Sequence, residues 1–117
     1  MPTKRSETYA PFDVVVVPFP YSERLAEKRR PAVVVSTPDL AARFGLVWLA
    51  MITSADNAGW PCDVAVSDLA TAGLPAPSMI RPVKIATVDV TRIVRRIGRL
   101  PAKDARSVAA ELKDYLP

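Results

Sequence analysis

The sequence predicts a mainly β domain, built as a small, strongly bent antiparallel sheet or partly open barrel with few helices. Three observations support this class: apolar β-branched runs of strand length, twelve prolines against four glycines, and a clear helical stripe only at the C-terminal end. Prolines suit strand ends and sheet edges and disrupt helix interiors. The 117 residues have the length of one domain. We therefore interpret 1–117 as a single domain, with 1–11 as a flexible arm.

The predicted strands follow one another at short intervals. Residues 13–19, DVVVVPF, form a continuous β-branched run, which is typical of a strand buried on both faces. A polar loop over 20–30 separates it from a second buried strand, AVVVS, over 32–36. Residues 46–54, LVWLAMITS, predict a third strand that carries Trp48 into the core.

Short helices and turns connect the remaining predicted strands. Residues 37–44, TPDLAARF, predict one short helix, with proline in its first turn and Gly45 just beyond its end. Residues 62–68 alternate polar and apolar side chains, as a half-exposed strand does. Residues 69–77 are rich in turn formers and predict one helical turn.

The C-terminal third predicts two or three short strands over 78–100 and then a helix over 102–116. The helix has apolar residues spaced along one face, and this spacing places Asp104 on the solvent side. The strand region contains four arginines, which alternation would divide between two faces. They are Arg92, Arg95, Arg96 and Arg99.

Several classes of chemistry are excluded by composition. The chain has no histidine and one cysteine, so a histidine-based catalytic triad, the usual zinc sites and an internal disulfide are excluded. Four widely spaced glycines form neither a P-loop nor a dinucleotide-binding motif. We therefore expect no cofactor. Composition does not exclude a magnesium site made of carboxylates. Its candidate ligands are Asp56, Asp63, Asp68 and Asp89.

The hydrophobic segments are short. The longest apolar run, residues 45–52, is far below the ~20 residues of a membrane span. The N-terminal residues lack the apolar core of a signal peptide. We therefore expect a cytoplasmic protein.

Positive charge is concentrated where the second strand begins. The chain carries a net charge of +4, and 11 of its 16 cationic residues are arginines, whose planar donor groups suit phosphate. The segment EKRRPAVVVS places Lys28, Arg29 and Arg30 directly before Pro31. From the residues alone, a solvated cluster that protects a strand end is the favoured interpretation. The alternative is a guanidinium held in place by Pro31, which restricts the preceding backbone to extended conformations.

An ordered set of motifs resembles the MazF/PemK (Kid) toxins of bacterial toxin-antitoxin systems. The motifs are FDVVVVPFPYSE, KRRPAVVVS, MITS, GLPAPSMIRPVKIATVD and IGRL, and they run from about Phe12 to the C-terminus. The resemblance implies an SH3-like β-barrel of the MazF/PemK/CcdB type with a short internal helix and a C-terminal helix. It also implies a homodimer, a cognate antitoxin, and a metal-independent endoribonuclease that cleaves single-stranded RNA through 2'-hydroxyl attack.

The resemblance also implies site residues. Arg30 and Thr53 occupy the positions of the family's catalytic residues. Phe12 stands where many members have glycine, which puts the local backbone path in question. Weaker RNA-binding candidates are Ser78, where related chains keep a small hydroxyl residue, and, from the residues themselves, Lys28, Arg29, Ser54 and Trp60. Each has a structural alternative: a solvated charge, a strand or turn hydroxyl, or an aromatic ring packed at a rim.

Two other functions stay open. A CcdB-like toxin would use the same small barrel to bind DNA gyrase without catalysis. A PIN-type nuclease would use metal-bound carboxylates, but it needs a parallel α/β sheet with more helix than this sequence predicts.

Overall fold

The computed structural model describes residues 8–20, 27–57 and 59–117. In chain order the elements are β1 Asp13–Pro20, β2 Glu27–Val34, α1 Pro38–Phe44, β3 Leu46–Ser54, β4 Val64–Ala65, α2 Leu69–Ala72, β5 Ser78–Asp89, β6 Arg95–Arg99 and α3 Ala102–Lys113. The strands join in one sheet, antiparallel throughout, in the order β4-β5-β3-β2-β1-β6. The predicted mainly β class is confirmed.

Apolar side chains pack on both faces of the sheet, which explains the continuous β-branched runs. One face, called the helix face here, packs against α2 and α3. Its buried strand residues are Val14, Val33, Ala50, Ile52 and Ile80. The other face, called the second face, has its own buried cluster: Val15, Val17, Ala32, Val34, Val47, Leu49 and Ile93. Neighbouring residues on a strand thus belong to different cores.

The element boundaries confirm some predictions and correct others. The third strand has the predicted bounds, and the predicted single helical turn is α2. The strand predicted over 62–68 is reduced to two residues in β4, and β5 is one long strand of 12 residues. The predicted loop over 20–30 is wrong at its end, because β2 begins at Glu27 and pairs with the end of β1.

Two side chains differ in burial from their predicted positions. Trp48 is 44% exposed, because it lies on the helix face beyond Ala50, where the buried cluster under α2 and α3 ends. Asp104 is only 2% exposed, since its carboxylate accepts hydrogen bonds from the Ser67 backbone N–H (2.8 Å) and hydroxyl (3.0 Å). This contact ties α3 to the segment before α2.

The first described residues are attached to the domain. Tyr9 packs against the buried cluster of the second face. Asp13 is 2% exposed and accepts hydrogen bonds from the Ala10 backbone N–H (2.9 Å) and from Arg99 (2.8 Å). The flexible arm predicted for 1–11 lies mostly outside the described residues, and its remainder carries these contacts. Within the described ranges, no helix is long and apolar enough to cross a membrane.

Phe12 keeps a left-handed backbone although it is not glycine. Its φ is +74°, its N–H donates to the Val34 carbonyl, and its carbonyl accepts from the Leu100 N–H at 2.9 Å. Its side chain packs against the core of the helix face. Packing therefore offsets a conformation that costs a non-glycine residue about 1–2 kcal/mol.

We predict an inverted order of stability for small residues at position 12. A protein with glycine inside a strand or helix is normally less stable than the same protein with alanine there, by about 0.5–1 kcal/mol. At a positive φ alanine is strained and glycine is not, so Phe12→Gly should be more stable than Phe12→Ala by about 1 kcal/mol. Urea unfolding of both variants measures this difference. A more stable alanine variant would contradict the left-handed conformation.

Candidate functional site

Arg30 lies inside β2, where it faces Val17 of β1. Its position is therefore fixed by strand pairing on the β1 side as well as by Pro31, and not by a loop junction as the sequence predicted. Side chains alternate along a strand, so Arg30 shares the second face with Ala32 and Val34. The residue is partly buried.

Thr53 lies near the end of β3 and shares the second face with Val47 and Leu49. Strands β2 and β3 are paired with Ala32 opposite Met51. The pairing of β2 with β3 ends at this pair, and Arg30 and Thr53 each lie two residues beyond it at the same end of the two strands. The two predicted catalytic residues are therefore brought to one face and one end of adjacent strands.

The Thr53 hydroxyl is held by the turn that follows β3. A single 3-10 turn covers Ala55–Asn57, and the Asn57 side-chain amide donates to the Thr53 hydroxyl oxygen at 3.1 Å. A hydroxyl has one proton to donate and can accept as well. With Asn57 as donor, the Thr53 hydroxyl keeps its proton for another acceptor, such as a phosphoryl oxygen.

A buried ion pair supports this turn. Arg81 lies opposite Met51 on the second face, and its Nε and Nη2 donate to the two oxygens of Asp63, each at 2.9 Å. The side chains are 11% and 3% exposed. Hydrogen bonds from Arg81, joined by the backbone N–H groups of Trp60 and Gly59, hold the pKa of the Asp63 carboxyl below its usual range, although burial opposes this effect.

The other predicted RNA contacts are divided between the two faces. By strand alternation, Lys28 shares the second face with Arg30, whereas Arg29 lies on the helix face. Arg29 there lines a groove of about 340 Å³ together with Arg95 of β6 and Leu74 of the α2–β5 loop. Arg30 also contributes to the lining of this groove.

Ser54 and Ser78 are paired across β3 and β5, one residue beyond Thr53, and so lie on the opposite face from it. Their hydroxyls make local contacts: Ser54 accepts from the Asp56 N–H at 3.2 Å and Ser78 donates to the Ala76 carbonyl at 2.8 Å. Trp60 is 45% exposed, with the Arg81 guanidinium 4.3 Å from its ring centre. The RNA contacts of these residues stay predictions.

The four arginines near the C-terminal strands have different environments. Arg99 and Arg96 contact the buried Asp13 carboxylate, at 2.8 and 3.4 Å, although both arginine side chains are about half exposed. Arg92 donates to the Pro18 carbonyl at 3.4 Å. Only Arg95 of this set lines the groove that contains Arg29. The set is therefore divided rather than arranged as one phosphate track.

The aspartates considered for magnesium are separated in the fold. Asp63 binds Arg81, Asp68 accepts from the Thr71 N–H at the start of α2, and Asp89 accepts from the Thr91 N–H. Asp56 follows β3 in the 3-10 turn. In the part of the chain that the structure describes, no three acidic or cysteine side chains are grouped as metal ligands.

Sequence reasoning missed Asn57 and Arg81, and it considered Asp63 only as a magnesium ligand and not as the partner of Arg81. One signal was present: the dipeptide Arg-Pro occurs twice, at 30–31 and at 81–82. In both places proline restricts the preceding arginine to extended conformations. The partner of the second arginine could not be predicted from the sequence, because Asp63 is 18 residues away in a loop.

Comparisons with known proteins agree with this fold. A profile of the family described as "PemK-like, MazF-like toxin of type II toxin-antitoxin system" matches residues 10–116. A search of curated protein sequences finds no match.

Solved structures extend the comparison across the whole domain. A MazE-MazF crystal structure from Deinococcus radiodurans aligns with a TM-score of 0.75 at 19% identity, over 92% of this chain and 95% of that one. Mycobacterium tuberculosis toxin MazF-mt6 aligns with a TM-score of 0.69 at 22% identity, over 87% and 93%. An endoribonuclease in complex with its cognate antitoxin, from a mycobacterial species, aligns with a TM-score of 0.72 at 15% identity, over 93% and 97%. The curled six-stranded sheet with helices is thus shared with MazF structures.

We predict that the contribution of Asp63 to the free energy of unfolding decreases as the pH falls into the acid range. The folded-state pKa is lowered, so the contribution is complete above the unfolded-state pKa of about 3.9 and is lost as the pH falls through the folded-state value. The difference in unfolding free energy between the wild type and Asp63→Asn should be constant from about pH 5 to 7 and shrink below about pH 4.

Urea unfolding at a series of pH values measures this difference. Asp39→Asn is the matched control, because the Asp39–Arg43 pair spans 3.8 Å with side chains about 70% exposed. Exposed pairs contribute about 0–1 kcal/mol, so this variant should stay close to the wild type throughout. An Asp63→Asn difference as large at pH 3 as at pH 7 would contradict the prediction.

Proposed function

The chain belongs to the PemK-like, MazF-like toxins of type II toxin-antitoxin systems, and from this membership we propose that it is an endoribonuclease. Its substrate is single-stranded RNA, which it cuts at short sequence motifs without a metal ion. The observation that carries the proposal is that Arg30 and Thr53 share the second face at one end of β2 and β3.

RNA can be cleaved by such a small set of groups because it supplies its own nucleophile. The 2'-hydroxyl attacks the adjacent phosphorus, a bond forms between them, and the bond from phosphorus to the 5'-oxygen breaks. The products are a 5'-hydroxyl and a 2',3'-cyclic phosphate, and the addition of water across the 2'-oxygen–phosphorus bond converts the latter to a 3'-phosphate. The protein must align the 2'-hydroxyl, accept its proton, stabilise the anionic transition state and protonate the leaving oxygen.

Arg30 suits the stabilisation of the transition state. Its planar guanidinium carries a positive charge and offers several N–H donors. Fixed donors aimed at developing charge contribute about 3–4 kcal/mol each to catalysis. Pairing of β2 with β1 and the restriction imposed by Pro31 hold the backbone of Arg30 in place.

Thr53 suits the positioning of the phosphate. Its hydroxyl accepts from Asn57 and retains its proton for a phosphoryl oxygen. Lys28, on the same face as Arg30, adds positive charge that attracts the RNA backbone. Together these residues bind, orient and neutralise the phosphate.

The proposal includes two protein partners. A cognate antitoxin inhibits the toxin by covering the site, and a mycobacterial endoribonuclease of similar fold is known in complex with its cognate antitoxin. The toxin itself is a homodimer that acts in the cytoplasm. Light scattering should give twice the 12.7 kDa mass of one chain, and a monomer at micromolar concentration would contradict the homodimer.

The test of the activity is cleavage of defined RNA by pure protein in excess EDTA, with the ends of the products mapped. We expect 5'-hydroxyl products and an undiminished rate after chelation. Arg30→Ala should lower the rate about 100- to 1,000-fold, through the loss of a fixed donor. Thr53→Ala should lower it about 10- to 100-fold, because hydrogen bonds to charged groups contribute about 1.5–3 kcal/mol.

Two exposed positions serve as matched controls. Arg43→Ala removes a solvated guanidinium on α1, and Ser107→Ala removes a hydroxyl on α3, so both variants should cleave like the wild type. RNA that stays intact at every protein concentration would overturn the nuclease proposal and favour a protein-binding toxin. Cleavage abolished by EDTA would point to metal-dependent chemistry. Unchanged rates in both site variants would overturn the site assignment.

A further inference from the structure

The guanidinium of Arg81 is committed to contacts within the protein. It donates two hydrogen bonds to Asp63, and Nη2 also donates to the Asn57 carbonyl at 2.9 Å. Trp60 lies over its central carbon. A group so enclosed, with its side chain 11% exposed, is not placed to meet a substrate. Its contacts instead connect β5 to the turn and loop that follow β3.

Asn57 links Arg81 to the candidate site. Its backbone carbonyl is held by Arg81, and its side-chain amide donates to the Thr53 hydroxyl. The turn is short, and its backbone N–H groups also donate from Ala55 to the Pro77 carbonyl at 3.0 Å and from Asp56 to the Ser54 hydroxyl at 3.2 Å. Arg81 therefore supplies a side-chain anchor at the residue that orients the Thr53 hydroxyl.

The position of Arg81 depends on an irregularity in the sheet. The β3–β5 register shifts between Ala50, which faces Ile85, and Met51, which faces Arg81. Three residues of β5 are thus passed over, and among them Pro82 is fully buried. A bulge of this kind redirects a side chain. Here it brings Arg81 to the second face, two positions along the β3–β5 register from Thr53.

We propose that Arg81, fixed by Asp63, is a positioning residue that acts through Asn57 to hold the Thr53 hydroxyl for phosphate binding. The inference rests on the proposed ribonuclease function for its kinetic consequence, but its structural content is measurable without activity. An error of about 1 Å in the position of a reacting or binding group can cost about 100-fold in rate.

The kinetic test uses single-turnover cleavage by Arg81→Lys, Asn57→Leu and the double variant. Arg81→Lys keeps the charge but loses the paired donors. We expect each single variant to lower the cleavage rate about 10- to 100-fold while RNA affinity changes less than about 3-fold. Because Arg81 acts through Asn57, the double variant should be no slower than Asn57→Leu. Multiplied effects, or wild-type rates in both single variants, would overturn the proposal.

A matched pair of substitutions distinguishes a loss of Thr53 positioning from a general loss of stability. Asp63→Asn and Asp104→Asn each neutralise a buried carboxylate that accepts side-chain and backbone hydrogen bonds. Asp63→Asn should slow cleavage, whereas Asp104→Asn should retain the wild-type rate at a temperature where both are folded. Equal slowing by the two variants would show a general loss of stability and would overturn the positioning role.

A second readout separates this inference from the nuclease proposal. Three-bond NMR couplings to the Thr53 methyl group report the fixed or averaged state of its side chain in RNA-free protein. A single rotamer in the wild type and Asp104→Asn, with averaging in Arg81→Lys and Asn57→Leu, supports the positioning role even if the wild type cleaves no RNA. A fixed Thr53 in all four proteins would overturn it even if the wild type is an active nuclease.

Discussion

The pairing register of β2 and β3 is the constraint on which the site depends. Arg30 and Thr53 share a face only because Ala32 lies opposite Met51, and a slip of one residue would transfer one of them to the helix face. Apolar residues fix the register, since neighbouring positions on β1, β2 and β3 enter two different cores. The same buried residues that stabilise the fold therefore determine where the two polar groups meet.

The loop after β3 is organised by charge rather than by apolar packing. Asp63 and Arg81 are largely buried, and removal of one partner from such a pair leaves an uncompensated charge. Burial of two charges is costly, so the pair is weak evidence for net stability, whereas its hydrogen bonds fix Asp63 and the Asn57 carbonyl relative to β5. Through Asn57, this arrangement extends to the Thr53 hydroxyl.

The strands made of continuous β-branched runs could be predicted from the sequence, because a strand buried on both faces has apolar residues at consecutive positions. Arg30 and Thr53 became candidate catalytic residues only through the resemblance to a family, and their catalytic role stays a prediction. The sequence did not predict that β2 includes 27–30, since charged residues before a proline are typical of a loop and only pairing with β1 makes them a strand. Burial of Asp104 and the Asp63–Arg81 pair likewise depend on contacts between distant segments.

A structure of the protein bound to RNA that carries 2'-deoxyribose at the cleavage position would show whether Arg30 and Thr53 bind the scissile phosphate together. That substitution removes the nucleophile and preserves the substrate. We expect one phosphate to contact both the Arg30 guanidinium and the Thr53 hydroxyl on the second face. A scissile phosphate bound instead in the helix-face groove beside Arg29 and Arg95, with Thr53 not in contact, would contradict it.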